Sequence, residues 1–377
     1  MKRVLIFSLA YFPHVGGAEI AIKEITDRTE DIEFHMLTMN FGGEAKEEKI
    51  GNVVVHRLGN GGSYFSKILF VPRAARAARA MHAALHFDAF WAMMSYMLFP
   101  IVLLRFGGGQ VPYVLTLQDG DPFSRIFSRW FILPFRPLLS AGFRNANAVT
   151  ALSTYLAVWA KKMGYRGEVV VVPNGADLTQ FISGAHPQIE TGGIVNLVTS
   201  SRLVRKNALD DVIRALVLLP PNVQFVIYGS GPEEGELKRL AEELNVTEQV
   251  LFKGYVPHTK LARAYQTTHI FIRPSRTEGF GASFPEAMAA GLPVVATQEG
   301  GIADFLFDEK RNPEKPATGW AVDVDSPEQI ALAVKDIIMN PEKVARVRAN
   351  ALALVREKYD WNLIAKQMRN VFATLSV

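Results

Sequence analysis

Short apolar runs alternate with helical stretches along this chain. In the first half the runs cover Val4 to Leu9, Glu33 to Thr38, Val53 to Arg57, Phe87 to Met93, Val111 to Leu117, Ala148 to Leu152 and Val169 to Val172. Helical spacing over Glu19 to Thr29 and Thr154 to Met163 lies between some of them, which is the rhythm of a parallel sheet with crossover helices. A second series follows at Ile194 to Ser200, Val223 to Tyr228, Val250 to Lys253, Ile270 to Arg273 and Pro293 to Thr297. Its helices are expected at Leu209 to Leu219, Glu234 to Leu244, Pro327 to Met339 and Pro341 to Lys358, with a last one at Leu363 to Leu375. The polar run with Pro and Gly from Ser183 to Gly193 reads as a linker. The pattern therefore predicts an α/β protein of two domains, residues 1–180 and 190–360.

The uncharged stretch from Ala89 to Leu104 is sixteen residues long and contains Pro100. A membrane span needs about 20 apolar residues, so a buried strand followed by a core helix is expected. The N-terminus runs straight from an apolar segment into a Gly-rich turn without a small-residue cleavage site, and is read as a first strand rather than a leader. With 377 residues, each domain is long enough to bury its own core. No cysteine is present, which excludes disulfides, thiolate metal sites and a thiol nucleophile. A reducing, cytoplasmic location is expected from this.

Formal charge is +4 and uneven. Residues 1–173 hold 19 Lys/Arg against 13 Asp/Glu, leaving 22 against 24 for the rest. A basic first half suits nucleic acid, an anionic membrane or an acidic substrate. Nothing in the chain resembles a nucleic-acid reader.

The densest chemistry lies from Arg273 to Pro293, RPSRTEGFGASFPEAMAAGLP. Glu278 precedes and Glu286 sits inside a short helix that Gly291 stops. The backbone N–H groups from Phe280 to Ser283 then face out of a helix start, a place suited to a phosphate. Two carboxylates beside such a spot suit neutral hydroxyl donors. The combination fits a ligand that joins hydroxyl-rich rings through a diphosphate.

Other turns add to this. Gly16-Gly17 enters the first helix and lets a ligand approach backbone amides. Arg202 and Lys206, four apart before a helix, offer a fork and a point charge to a diphosphate. Gly229 to Pro232 and Gly254 to Pro257, with Tyr255 and Val256, are turns at strand ends. Gln118 and Asp119 end the strand that starts at Val111, where binding groups favour the carboxyl terminus. Asp119 or Asp121 could hold an acceptor hydroxyl, or cap the turn.

Glu-Gly-Phe-Gly followed by Pro-Glu-Ala-Met-Ala-x-Gly-x-Pro-Val-Val-Ala resembles the nucleotide-sugar signature of retaining GT-B glycosyltransferases, in particular family 4. Ser-Arg-Leu with Lys206 four after Arg202, Gly-Gly-x-Glu at Gly16 to Glu19, and Pro-Asn-Gly-x-Asp at Pro173 to Asp177 fit the same family. The resemblance covers nearly the whole chain and is strongest over 194–297. It implies two Rossmann-like domains with a cleft between them and a terminal helix, 361–377, crossing back to the first domain. It also implies transfer of a sugar from a nucleoside diphosphate sugar to a hydroxyl of a lipid-linked or glycan acceptor, with retention and without metal or separate cofactor. Arg202, Lys206, Glu278, Gln118 and Asp119 take the catalytic places. Gly16, Gly17, Asn174, Gly229, Tyr255, Val256, Gly279, Phe280, Gly281 and Glu286 join Arg202, Lys206 and Glu278 at the donor. Many relatives have His where Gln118 stands, and Gln cannot move a proton. A nucleotide-sugar epimerase and a non-catalytic donor-binding subunit therefore stay open as alternatives.

Two basic stretches remain. Arg73, Arg76 and Arg79 form one helical stripe. From Pro122 to Arg144, arginines alternate with Phe, Trp and Ile, which fits either an anionic membrane boundary or a core helix with outward arginines.

Overall fold

A computed structural model describes all residues except 109, 183–186, 188, 191, 376 and 377. Most of the expected linker thus lies outside the described residues. The chain divides into two compact units, Met1–Asn174 with Trp361–Val377, and Gly175–Asp360. Residues 175–180, expected with the first domain, fall in the second unit, where Ala176 pairs with Asp360 and the Phe181 ring just beyond them packs on Tyr265.

Among the described residues the first unit holds eight strands: β1 Lys2–Phe7, β2 Ile32–Met39, β3 Glu47–Ile50, β4 Val53–Leu58, β5 Ala89–Met93, β6 Tyr113–Leu117, β7 Ala148–Ala151 and β8 Val169–Val171. Their order is β3-β4-β2-β1-β5-β6-β7-β8, parallel except for β3 on β4. The central strands are apolar on both faces because helices cover both. β3 was not foreseen: its sequence, EEKI, is charged and mostly exposed, the composition of an edge strand rather than a buried one.

The last helix, Trp361–Thr374, belongs to this unit. Trp361, Ile364, Met368 and Phe372 share a core with Val4, Ile6, Phe34 and Trp91. Phe372 meets the rings of Phe34 and Trp91 edge-on at 6.0 and 5.3 Å, and Lys2 donates to its carbonyl at 2.6 Å. Truncating such a fully buried Phe removes about 3–5 kcal/mol.

The second unit has six parallel strands, β9 Val195–Ser200, β10 Val223–Tyr228, β11 Val250–Gly254, β12 Ile270–Arg273, β13 Val294–Ala296 and β14 Trp320–Ala321. Their order, β11-β10-β9-β12-β13-β14, reverses direction between β9 and β12. Connections leave that reversal to opposite sides and open a crevice at the strands' carboxyl ends. Helices Leu209–Leu216, Glu234–Glu243 and Pro327–Met339 bury their apolar faces on this sheet through Val212, Ile213, Leu237, Ile330 and Val334. A helix at His258–Gln266 is an addition to the expected set.

Candidate active site

The loops leaving β9 and β12 carry the residues that the sequence singled out. After β9, Ser201 to Asn207 run against the Gly229 turn. Gly229 has φ +140, and a Cβ there would lie 1.9 Å from the Ser201 carbonyl oxygen. A Cβ on Gly231 would lie 2.3 Å from that of Leu203. These glycines are therefore required by the close approach of two backbones. Ser201 and Leu203 donate to the carbonyls of Tyr228 and Ser230, and Asn207 donates to that of Arg202 at 2.7 Å. Held in this way, the Arg202 side chain stands exposed.

After β12 the chain brings Glu278 to Lys206: Oε1 lies 3.6 Å from Nζ. Glu278 is 8% exposed, and its second oxygen takes Arg273 at 3.3 Å. Its Oε1 also accepts from the Gly279 N–H at 3.0 Å, which engages the amide just before the Phe280 to Ser283 group. Gly300, at φ +64, lets the following turn lie against the Glu278 carbonyl, which accepts from Gly301 at 2.9 Å. Burial pulls the Arg273 guanidinium below its ordinary range, and the Glu278 charge opposes that.

The helix carrying Glu286 runs from Ser283 to Ala289. Gly291, at φ +75, follows it as expected. Glu286 is 6% exposed and lies 2.8 Å from His258 Nε2. A carboxylate only accepts, so Nε2 carries the proton. His258 is set by a hydrogen bond from Gln180 to its carbonyl and by the Phe181 ring at 5.7 Å. It was missed because a lone His after Pro257 has no local signal. Phe280, expected at the donor, has its ring buried against Phe305 and Tyr359, so only its backbone faces the loop. Gly281, at φ +79, passes close to Arg273 and Phe284. Gly254, at φ +69, accepts from Gly229 N–H at 2.8 Å, and Tyr255 beyond it is exposed. Around β9 and β12, the buried Ser201 Oγ, Asn207 Oδ1 and Ser275 Oγ have no partner among the described residues, which marks a polar lining.

In the first unit the helix Gly17–Asp27 starts from Gly16. A Cβ on Gly17 would lie 3.7 Å from both Gln118 Nε2 and Asn174 Nδ2, which places these three together. Both amide atoms of Gln118 are buried without a partner among the described residues. Asn174 is 4% exposed.

Asp119 needs a correction. It is 2% exposed, and its Oδ2 accepts from the Ser95 hydroxyl at 2.8 Å and from its N–H at 3.3 Å. The carboxylate points inward and ties the loops after β5 and β6 together. Burial pushes its pKa up to about 6, which the Ser95 bonds only partly offset. Asp121 stays partly exposed, 3.6 Å from Arg125.

The basic aromatic stretch is not one helix. It breaks into helix Phe123–Phe127, a turn at Leu133–Phe135 and helix Arg136–Arg144. Ile126, Phe127, Leu139 and Phe143 are buried, whereas Trp130, Leu133 and Phe135 are exposed. Among the described residues no helix is long and apolar enough to cross a membrane.

Comparison with known proteins agrees with this architecture. Residues 15–180 match the model of Glycosyltransferase Family 4, and residues 191–353 that of glycosyl transferases group 1. A GDP-mannose-dependent phosphatidylinositol monomannoside mannosyltransferase of Mycolicibacterium smegmatis is 30% identical over 250 residues, 62% of this chain and 64% of that protein. The alpha-monoglucosyldiacylglycerol synthase of Acholeplasma laidlawii is 23% identical across 99% of this chain and 97% of its own. The first relatives are matched over part of their length only, from 44% for an Arabidopsis thaliana phosphatidylinositol N-acetylglucosaminyltransferase subunit to 65%. Among solved structures, sucrose-phosphate synthase of Thermosynechococcus elongatus superposes with a TM-score of 0.83 at 19% identity, covering 100% of this chain and 99% of that one. HepE of Anabaena, in complex with UDP and glucose, gives 0.79 at 21%, covering 99% and 100%. At those identities the likeness establishes the GT-B fold. With the two family models together spanning both units, the chain belongs to the glycosyltransferases, Family 4 in its first unit and group 1 in its second.

Proposed function

We propose that this chain is a retaining glycosyltransferase that moves a hexose-type sugar from a nucleoside diphosphate sugar to a hydroxyl of a lipid-linked or polysaccharide acceptor. One observation carries the reading: Lys206 and Glu278, 72 positions apart, meet 3.6 Å from each other at the reversal point of the second sheet, and Arg202, four residues before Lys206, is exposed. A carboxylate and two cations in one crevice match the two ends of a sugar diphosphate. Arg202 and Lys206 neutralise the diphosphate, while Glu278 and Glu286 accept from sugar and ribose hydroxyls. In the first unit Gly17, Gln118 and Asn174 form a neutral polar group suited to hydroxyls and anionic oxygens.

In the transfer, the acceptor oxygen bonds to the anomeric carbon on the face from which the diphosphate departs. The C–O bond to the phosphate breaks with its electron pair, and the acceptor proton passes to a phosphate oxygen of the leaving group. Arg202 and Lys206 stabilise the charge that develops there, and no metal is needed because they supply it. The relatives named for phosphatidylinositol and diacylglycerol acceptors support a lipid acceptor. Contact of residues 122–144 with an anionic membrane surface at its cytoplasmic face belongs to the same reading. Exposed Trp130, Leu133 and Phe135 fall in the same stretch of chain as Arg125 and Arg129, and Phe131 packs on Tyr64, whose neighbour Phe65 is exposed as well.

The test is incubation of the purified chain with UDP-glucose, GDP-mannose and UDP-N-acetylglucosamine, with and without a membrane lipid extract and with and without chelator. Acceptor-dependent release of nucleoside diphosphate, chelator-insensitive and giving an α-linked product by NMR, is expected. Free nucleotide with an altered sugar in the absence of lipid would instead show an epimerase, and donor binding without turnover a partner subunit.

A further inference from the structure

Arg276 lies between Ser275 and Glu278 and carries no motif of its own. Its guanidinium forks onto Asp210, Nη1 to Oδ1 and Nη2 to Oδ2 both at 2.9 Å. Nη2 also reaches Asp211 Oδ2 at 3.1 Å, and Nε reaches Asp325 Oδ1 at 2.6 Å. Nη1 donates to the Arg205 carbonyl at 2.7 Å, and the Arg276 backbone N–H donates to the Lys206 carbonyl at the same distance. One residue thus holds both carbonyls of the loop that bears Lys206, the first turn of the helix after it, and a remote third loop. It does so from two positions before Glu278.

An exposed ion pair contributes about 0–1 kcal/mol and fixes little. This cluster differs in two ways. Three carboxylates share one guanidinium, and the Asp211 side chain is only 6% exposed. Burial, with Asp210 next, pushes Asp211 up to about 6, while Arg276 and Arg214 oppose the shift. Without the Arg276 side chain, three acids would face one another and the Arg205 carbonyl would lose its donor, leaving only the backbone bond to Lys206 between the loops after β9 and β12 at this point.

We propose that Arg276 is a positioning residue: by clasping the loop after β9 to the loop after β12 it sets the Lys206 ammonium beside Glu278, and so sets the diphosphate-binding geometry. This rests on the reading of Lys206 and Glu278 as donor-binding groups.

Calorimetric binding of UDP, GDP and ADP to the full chain tests it through a double-mutant cycle of Arg276→Gln and Lys206→Ala. In the parent background Arg276→Gln is expected to weaken binding of the nucleotide that binds by about tenfold. In the Lys206→Ala background the same change should have under about a twofold effect, because what the clasp positions is gone. A purely structural role would weaken binding equally in both backgrounds and would overturn the proposal, as would a folded Arg276→Gln chain that binds as the parent does. If Arg276→Gln lacks a cooperative unfolding transition, Asp325→Asn, which removes one partner of the clasp at an exposed position, is put through the same cycle with the same criteria. Failure of the parent to bind any of the three nucleotides, or parent-like binding by Lys206→Ala alone, would remove the underlying reading and the proposal with it. Both results differ from equal weakening in the two backgrounds.

Discussion

The carboxyl ends of the two sheets are built from opposite materials. In the second unit, Arg202, Lys206, Arg273, Arg276, Glu278 and Glu286 crowd the end of β12, the loops after β9 and β12 or the helix beyond them, and all but the exposed Arg202 are tied to partners among the described residues. In the first unit, Gly17, Gln118 and Asn174 come together without charge, and Asp119, the acid nearest them in sequence, is turned into the protein. Fixed charge in a preorganised frame suits a ligand part that stays anionic throughout, such as a diphosphate. Neutral amides, free to donate or accept, suit groups whose hydrogen-bonding sense differs between ligands.

The largest effect expected from this contrast is on turnover. Arg202→Ala and Lys206→Ala should each lower kcat about 10²- to 10³-fold, as loss of a charge-stabilising donor does. Arg202→Ala should leave the unfolding temperature unchanged within error, since that side chain is exposed. Steady-state nucleotide release measures the first and calorimetry the second. Turnover unaltered in both variants would dissolve the distinction between the two ends.

Glu278→Ala should abolish activity and also destabilise the fold by about 3 kcal/mol, because it leaves the buried Arg273 without its acid. Glu278→Gln, which keeps an acceptor for Arg273, should lose activity but recover much of the stability. Denaturant unfolding of the pair separates the two roles. Equal stability of Glu278→Ala and parent would show that the Arg273 contact contributes nothing.

A smaller effect tests the inward Asp119. Its folded pKa, about 6, lies above the ordinary carboxyl value of 3.8, so the folded protein binds the proton more tightly than the unfolded chain. Its favourable contribution is therefore complete below pH 3.8 and is lost as pH rises through about 6, a change on the order of 3 kcal/mol. Asp119→Asn should flatten that part of the stability curve. An unaltered pH profile would mean that Asp119 is not the titrating group.

Gln118→Ala should have the mildest consequence, about a fivefold loss in kcat/KM, since a neutral hydrogen bond contributes about 1 kcal/mol. A loss as large as that of Lys206→Ala would erase the comparison from the other side.

The outline of the fold was legible because it is written in local periodicity. Strands at Val223–Tyr228 and Ile270–Arg273 and helices at Pro327–Met339 and Pro341–Lys358 fall where the apolar pattern ends them. Glu278, Glu286, Arg202 and Lys206 were visible because their residue types sit at fixed short spacings around glycines. Other partners had no such mark. Arg276 joins Asp325 across 49 positions and Asp210 across 66, and His258 meets Glu286 across 28. No short window contains both members of such a pair.

What the chain determined by itself was the alternation of strands and helices and the inventory of charged groups at turns, since both depend on neighbours a few residues away. Tertiary structure alone decided which of those groups meet, that Asp119 faces inward, and that β3 adds a polar edge to the first sheet. Strand order brings the ends of β9 and β12 side by side, and burial then sets the protonation and partners of what lies there.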